Sequence, residues 1–443
     1  MRIEPIRLAQ AFACTFALAS ASPARAETYS ITDLGSLGGA RGSGALALNG
    51  NGAVVGYSFV QGTNFVHAMV NRYGTVEDLG TLGGTQSLAR SVNAAGDAVG
   101  WAYPTGVATQ LAVLWRDGQV VPIGTFGGNS SDARDINNAG LVVGSAFDAG
   151  GDEHAFWWQG DVLHDMGTFG GTQSRAYASN EWGDIVGWAA ITNDAGLHAF
   201  LGKRDGELYD LGTLGGPASH AYDVNESVHL CGWSMLAPNW PPSRGWFWAN
   251  GIMKSLGTLG GIYSSAFGLN NLDQVVGAST RADEVQVAFL WNNDRMTDLN
   301  TLVAGGSGWF LTRAWDIDDQ GAIVCEGTYG GVPRAVLLTP SNTVSTPPGA
   351  PTTLSFAGAS PNPMNAGGAF AFALPAEAAV RLELYDTGGR RLLALADGPF
   401  RAGASRVPWD GRDENGAALA PGAYWARLTV GGRGISRAFV VVR

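Results

Sequence analysis

The sequence predicts an all-β protein built as a seven-bladed β-propeller followed by a small β-sandwich. Composition is the first indication, since Gly accounts for 65 of the 443 residues and charged residues for only 15%. Such a composition favours short strands and tight turns over helices. The other two indications are a block that recurs seven times and a C-terminal stretch of about 88 residues with its own alternating pattern.

Two phrases mark each copy of the recurring block. The first is Asp33-Leu-Gly-Ser-Leu-Gly-Gly39, which returns as Asp78–Gly84 and then in variant forms. The second begins with Ala and has Asn or Asp four places later, and its copies are 43–48 residues apart. Its seven Ala residues are Ala45, Ala89, Ala133, Ala176, Ala221, Ala266 and Ala314.

Each repeat divides into four strand-sized segments. Repeat three gives the first three as Ala133–Asn137, Val142–Ser145 and the aromatic His154–Trp158, and repeat four gives the fourth as Leu208–Leu211. Turns containing Gly or Asn separate most of them. Four strands in roughly 40–50 residues is the period of a propeller blade.

The two ends of the repeat array predict that the ring closes. Repeat seven stops after Arg334–Leu338 without a fourth strand, whereas Tyr29–Leu34 is a fourth strand with no repeat before it. Pairing these two segments would complete the last blade and remove the open sheet edges. The alternatives are another number of blades or a β-solenoid, which would need capping units at both ends.

The first strand of each repeat carries a positional pattern. Its leading Ala suits the crowded ring axis, and alternation with period two assigns the large second and fourth residues to the packing face between blades. The third position is small or acidic, and it is Asp135, Asp223 and Asp316 in repeats three, five and seven.

The N-terminus predicts export. Residues 1–26 combine Arg2 and Arg7, an apolar run and Ala24-Arg25-Ala26, the pattern of a signal peptide, with a buried N-terminal helix as the alternative. No later stretch reaches the ~20 apolar residues of a membrane-spanning helix. The net charge of −11 disfavours nucleic acid as a partner.

Cysteine usage predicts free thiols in the mature chain. Cys231 and Cys325 fall in the same strand type of repeats that are not neighbours. We therefore expect both to be partly buried and unpaired.

The repeat phrases resemble the HAF family of extracellular repeat proteins, named for the tripeptide present here at 154–156 and 198–200. The resemblance covers residues 29–338 and combines four phrases in a fixed order. Repeats five and seven depart from it, with Gly-Trp-Phe at 245–247 and Arg-Ala-Val at 334–336. The resemblance implies export and repetition and supplies no catalytic residues.

A spacer and a second domain follow the repeats. Residues 339–355 are rich in Pro, Thr and Ser, which predicts an extended linker. Residues 356–443 resemble the Ig-like domain of flagellar hook-capping proteins and of type IX secretion sorting domains. That resemblance implies a role in sorting and surface attachment, or a structural stalk. The motifs that carry it are Ser360–Pro363, Tyr385–Arg390, Trp409–Asp413 and Pro421–Tyr424.

The loops predict a binding function. In a propeller, the loops between strands two and three share one face with the loops that enter strand one. Here the loops between strands two and three vary, whereas the loops that enter strand one are the constant Gly-rich phrase. A constant frame with variable aromatic loops suits recognition of a glycan or a protein partner. The candidate contacts are Tyr103, Phe147 and Trp240. The Ig-like domain adds secretion or surface-anchoring machinery as a candidate partner.

The alternative is a secreted propeller hydrolase or lyase acting on polysaccharide. Its acids would be Asp135, Asp223 and Asp316 if they converge on the channel, although side chains in alternate blades are expected to be too widely spaced for glycoside cleavage. Backbone hydrogen bonding is the simpler role for these three residues. His67, His154 and His198 begin the third strand of three repeats, and repetition favours packing over zinc binding. The sequence thus assigns no catalytic residue, metal or cofactor.

Overall fold

The computed structural model describes residues 28–341 and 354–442 with short gaps, and the predicted export signal and most of the predicted linker lie outside the described residues. The chain divides into two compact units, one ending at Ser341 and the other beginning at Asn342. The gaps are 205, 239–241, 361–363, 366–367, 375–377, 401–402, 410 and 415–416.

The first unit consists of β1 (Tyr29–Asp33) followed by antiparallel repeats of up to four strands in sequence order. Repeat one contains β2 (Gly38–Leu48), β3 (Ala53–Val60), β4 (Val66–Arg72) and β5 (Thr75–Gly80). Repeat two contains β6 (Gly83–Val92), β7 (Ala98–Pro104), β8 (Leu111–Arg116) and β9 (Gln119–Pro122). Repeat three contains β10 (Gly127–Ile136), β11 (Val142–Asp148), β12 (Glu153–Gln159) and β13 (Val162–Asp165).

The remaining repeats continue the same order. Repeat four contains β14 (Gly170–Ser179), β15 (Asp184–Ile191), β16 (Leu197–Lys203) and β17 (Leu208–Asp210). Repeat five contains β18 (Ser219–Val224), β19 (Leu230–Met235), β20 (Ser243–Ala249) and β21 (Ile252–Gly257). Repeat six contains β22 (Gly260–Leu269), β23 (Val275–Arg281), β24 (Gln286–Asn292) and β25 (Arg295–Asp298). Repeat seven contains β26 (Trp309–Ile317), β27 (Ile323–Tyr329) and β28 (Val332–Pro340). Short 3-10 turns occur at Thr192–Asp194 and Leu299–Thr301.

The N-terminal strand completes the sheet of repeat seven. β1 pairs antiparallel with β28, from Tyr29 opposite Pro340 to Asp33 opposite Val336. Repeat seven also packs against repeat one, because Leu34, Ala45 and Val54 share a buried cluster with Val324 and Ala335. The pairing expected from the two ends of the repeat array is therefore present.

An asparagine ladder explains the Asn four places after each Ala. Asn137 Oδ1 accepts from the N–H groups of Ala139 and Leu141, which closes the turn between the first two strands. Its Nδ2 donates to the carbonyl of Asn180 in the next repeat at 2.9 Å. The same donation links each Asn from repeat one to repeat six to the repeat that follows. Repeat seven has Asp318 here, a residue with no side-chain amide to donate.

The Gly-Gly pair of the first phrase allows a close approach of two strands. Gly83 has a φ of +89°, a conformation that disfavours side chains, and a Cβ on Gly84 would lie 2.4 Å from the carbonyl oxygen of Tyr103. Both glycines lie where the first strand begins beside the end of the second. The constant phrase and the variable loop therefore share one face, as the sequence predicts.

The second unit consists of two sheets around one apolar core. One sheet has the order β29-β31-β34 and the other β30-β36-β35-β32-β33. Phe370, Trp409 and Phe439 are buried between them, and the rings of Trp409 and Phe439 meet edge to face at 5.5 Å. The strands are β29 (Ser355–Ser360), β30 (Met364–Asn365), β31 (Gly368–Leu374), β32 (Ala378–Tyr385), β33 (Arg391–Phe400), β34 (Gly403–Trp409), β35 (Gly422–Val430) and β36 (Arg433–Val442).

The predicted all-β class is confirmed, and the four-stranded repeats give the first unit a propeller-like arrangement. Cys231 and Cys325 are free, and both are fully buried where partial burial was expected. Among the described residues, no helix is both long and apolar enough to cross a membrane.

Candidate ligand-binding site

A β-bulge occurs in the first strand of every repeat. The pairing with the second strand shifts by one residue around the second position, as between Ala133 and Asp135. A bulge breaks the alternation of side chains and re-aims the extra residue. The second-position residues contact those of neighbouring repeats, as Tyr177 does Tyr222 and Phe267 does Trp315, but they are not enclosed between them. They remain partly exposed while the leading Ala is buried, and they are Leu46, Arg90, Arg134, Tyr177, Tyr222, Phe267 and Trp315.

Arg90 and Arg134 occupy the bulged positions of repeats two and three, and both form ion pairs with Asp132. Arg90 Nε and Nη2 each donate to one oxygen of Asp132 at 3.1 Å. Arg134 Nη2 lies 2.9 Å from Oδ2 of the same carboxylate. Burial would raise the pKa of Asp132, but Arg134 and Arg90 outweigh it and lower the pKa below its ordinary value. Asp132 is therefore held ionised.

A second ion pair lies beside the first. Arg175, two residues before the bulged position of repeat four, donates from Nη2 to both oxygens of Glu153 at 2.7 and 2.8 Å. Ser145 Oγ also donates to Glu153 Oε1 at 2.6 Å. Burial would lower the pKa of Arg175, but the hydrogen bond to Glu153 raises it. We call Arg90, Asp132, Arg134, Glu153 and Arg175 the arginine cluster.

The arginine cluster surrounds a polar cavity of about 160 Å³. Besides the cluster, its lining residues are Gln110, Ser130, Ser131, Ser145 and Phe147. Phe147 is at the end of β11, on the face that carries the variable loops. The cavity is therefore formed by repeats two, three and four and combines fixed charges, hydroxyl groups and one aromatic ring.

An aromatic arc continues from the arginine cluster through repeats four to seven. The guanidinium of Arg134 lies 5.3 Å from the ring centre of Tyr177, and Tyr177 contacts Tyr222 at 4.8 Å. Tyr222 then contacts Phe267, and Phe267 contacts Trp315. Trp188, His220 and Trp233 pack behind this line. Tyr177, Tyr222, Phe267 and Trp315 are partly exposed, so the arc presents aromatic surface beside the charged cavity.

His220 is the unusual member of the aromatic arc. Both of its ring nitrogens are buried and neither has a hydrogen-bond partner among the described residues. Burial, assisted by the charge of Arg175, lowers the pKa of His220 to about 3. His220 is therefore neutral at physiological pH.

The three loop residues proposed from the sequence have different positions. Phe147 lines the cavity, and Tyr103 contacts Trp101 of its own strand β7, with the ring centres 5.4 Å apart. Trp240 lies outside the described residues. The arginine cluster was not foreseen.

The three aspartates at the third position join neighbouring repeats. Asp135 accepts from Ser91 Oγ at 2.7 Å and from the Ser179 N–H at 2.8 Å, linking repeat three to two and four. Asp223 accepts from the Leu269 N–H at 2.7 Å, and Asp316 from the Leu48 N–H at 3.0 Å. Burial raises the pKa of all three, and that of Asp316 to about 6.

The histidines that begin the third strands pair with the aspartate of the first phrase in the same repeat. The Nδ1 atoms of His67, His154 and His198 lie 2.7–2.8 Å from carboxylate oxygens of Asp78, Asp165 and Asp210. Repeat five, which lacks this histidine, has Ser255 in place of the aspartate. Within the described part of the chain, no group of three or more His, Cys, Asp or Glu is placed to hold a metal ion.

Comparison with known proteins identifies the C-terminal domain. The family model of the FlgD Ig-like domain matches residues 360–433. No curated protein sequence matches the chain. The resemblance of the repeats to the HAF family stays a prediction.

Solved structures with a similar fold are distant. PorZ, a surface component of the type IX secretion system of Porphyromonas gingivalis, is 12% identical with a TM-score of 0.40, over 91% of this chain and 60% of PorZ. TolB from Acinetobacter baumannii is 10% identical with a TM-score of 0.40, over 66% of this chain and 64% of TolB. Trypanosoma rangeli sialidase is 10% identical with a TM-score of 0.38, over 94% of this chain and 89% of the sialidase. The chain thus spans less than two thirds of PorZ and of TolB, and no activity follows from these likenesses.

Proposed function

We propose that the protein is an exported, non-enzymatic binding protein whose repeats form a closed seven-bladed β-propeller. The pairing of β1 with β28 and the hydrogen bond from Leu48 to Asp316 support closure. The ligand is a glycan, and the cavity within the arginine cluster takes one of its sugar units.

The observation that carries this proposal is the ion-paired lining of the cavity. Asp132 is bound by two arginines, and Glu153 by Arg175 and Ser145, so both carboxylates are engaged as acceptors. Carboxylates fixed in this way hold the cavity in shape and orient the arginine donors, whereas acid catalysis needs a carboxyl group that can give up a proton. The adjoining aromatic arc adds apolar surface on which a longer chain of sugars can lie.

The C-terminal Ig-like domain is proposed to direct sorting or attachment, which makes the protein secreted or bound to the cell surface. Cell fractionation of the full-length chain and of a chain ending at Ser341 tests this role. Equal distribution of the two forms would argue for a purely structural domain.

A glycan array probed with the mature chain tests the binding function. Phe147→Ala removes the aromatic wall of the cavity, and we expect at least a tenfold loss of affinity for the glycans bound. Tyr73→Ala is the matched control, because Tyr73 is 87% exposed in repeat one. Absence of binding at high micromolar protein would overturn the proposal.

The alternative function is cleavage of a polysaccharide, by hydrolysis or by elimination, with Asp135, Asp223 and Asp316 as the catalytic acids. It is favoured by one observation, the raised pKa values, since a carboxyl group that stays protonated can serve as a general acid. Turnover in a polysaccharide screen that is abolished by Asp223→Asn would establish it in place of the binding function.

A further inference from the structure

The charges around the cavity do not balance. Three guanidinium groups face two carboxylates, which leaves one positive charge in excess in a chain whose net charge is −11. The three arginine side chains are only 18–27% exposed, so charge interactions within the cluster are screened less than at the open surface. A single negative charge on a ligand would complete the cluster.

Arg134 is the least satisfied of the three arginines. Arg90 and Arg175 each place two nitrogens on a carboxylate, whereas Arg134 shares an Asp132 oxygen already used by Arg90. Its Nε is buried and has no partner among the described residues. Burial lowers the pKa of Arg134 against the opposing charge of Asp132, as expected for an incompletely compensated cation.

The other lining groups suit a sugar ring. No described residue forms a hydrogen bond with the side chains of Gln110 or Ser130, so these remain available to ligand hydroxyl groups. Phe147 supplies an apolar wall, and the cavity of about 160 Å³ opens to solvent, so that a sugar ring can enter while part of it stays outside. The cavity thus offers cationic, polar and apolar contacts in a space for one ring.

Resting on the glycan-binding function proposed above, we infer that the cavity selects a sugar unit carrying a carboxylate, a uronic acid, with Arg134 as its counter-ion. The planar guanidinium group matches the two oxygens of a carboxylate and forms charge-assisted hydrogen bonds. The carboxylate removes the excess charge, and the ring hydroxyls meet Gln110 and Ser130.

Isothermal titration of the mature chain with a hexamer of galacturonic acid and with its fully methyl-esterified counterpart tests this inference. We expect the acid to bind at least tenfold more tightly than the ester. Gln110→Glu adds a negative charge at the cavity wall with little change in shape. It should lower affinity for the acid at least tenfold more than it lowers affinity for the ester.

Gln119→Glu, on the exposed outer strand β9, is the control for net charge and should bind the acid like the wild type. Equal affinity for acid and ester would overturn the charge selection while leaving glycan binding intact. Tighter binding of a sulfated galactan hexamer than of the uronic acid hexamer would overturn the choice of carboxylate. Binding of neither hexamer, nor of any glycan on the array, would remove the proposed function as well.

Discussion

The carboxylate of Asp316 accepts a hydrogen bond of 3.0 Å from the backbone N–H of Leu48, across 268 residues of sequence. Its other oxygen accepts from the N–H of Ile317 at 2.8 Å. Asp316 belongs to the last repeat and Leu48 to the first. This contact, together with the pairing of β1 and β28, joins the two ends of the repeat array.

Replacement of Asp316 by Asn should change how stability depends on pH. Burial raises the pKa of Asp316 to about 6, so the folded state binds this proton more tightly than the unfolded state. Wild-type stability therefore falls as pH rises from about 4 to 7, whereas Asn contributes no such slope. We expect the difference in unfolding free energy between wild type and Asp316→Asn to fall by roughly 2–3 kcal/mol over this range.

Urea unfolding at several pH values measures that difference. Asp117→Asn is the control, because Asp117 is exposed and its φ of +52° is one that Asn accepts. A difference that stays constant between pH 4 and 7 would contradict the raised pKa.

Glu226→Gln should stabilise the protein at alkaline pH. Burial raises the pKa of Glu226 to about 7, and the charges of Glu181 and Asp319 contribute, although the N–H of Glu181 opposes the shift. Gln keeps an oxygen for that N–H and removes the repulsion. We expect equal stability of variant and wild type near pH 5 and a gain of about 1–2 kcal/mol for the variant at pH 8. Thermal unfolding at both pH values checks this, and a variant less stable at pH 8 would refute it.

Two substitutions of Asn137 separate its two roles. Asn137→Ala loses the turn-closing oxygen and the amide donated to Asn180, and leaves buried backbone groups without partners. We expect a loss of about 2–4 kcal/mol. Asn137→Asp keeps the oxygen, as Asp318 does in repeat seven, and should be intermediate. Equal losses for the two variants in urea unfolding would show that only the interrepeat amide matters.

Tyr29→Ala tests the contribution of the N-terminal strand. Tyr29 is only 4% exposed and packs in the core of repeat seven, so we expect a loss of about 3–5 kcal/mol. Tyr73→Ala is the same change at an exposed position and should cost less than ~0.5 kcal/mol. Similar melting temperatures for the two variants would mean that β1 contributes little to the fold.

The thiols of Cys231 and Cys325 should react only after unfolding. Burial raises the pKa of both and encloses their sulfur atoms. With Ellman's reagent at pH 8 on a chain of residues 27–443, which excludes Cys14, we expect no colour from the native protein and two thiols per chain in 6 M guanidinium chloride. Rapid reaction of the native protein would contradict the burial of these residues.

The repeat period explains why the strands could be predicted from sequence. A phrase that recurs seven times predicts the same local structure in each repeat. The strand order, and the pairing of Tyr29–Asp33 with the last strand of repeat seven, therefore follow from counting the strand segments. The structural role of the Asn that recurs in repeats one to six could not be predicted in this way. Its hydrogen bond to the next repeat depends on how the repeats pack together.

The arginine cluster was missed because the period-two pattern of one strand does not show which residue of the next repeat a side chain meets. Arg90 reaches Asp132 of the following repeat, and the bulge leaves Arg90 and Arg134 at the cavity wall. One signal was available in the sequence. The second position varies from Leu46 to Arg134 to Trp315 beside an Ala that never changes. A position that varies in chemistry within a constant strand is typical of a surface adapted to a ligand.

The asparagine ladder gives the repeat array a direction, since each amide points to the following repeat and the series ends at Asp318. The junction between the last and first repeats instead uses the pairing of β1 with β28, the hydrogen bond from Leu48 to Asp316 and the apolar cluster around Ala45 and Val324. Under tension applied at Thr28 and Ser341, the load would fall on β1 and β28, so the first rupture would free the short N-terminal strand. The six amide links would then break in later events, one repeat at a time.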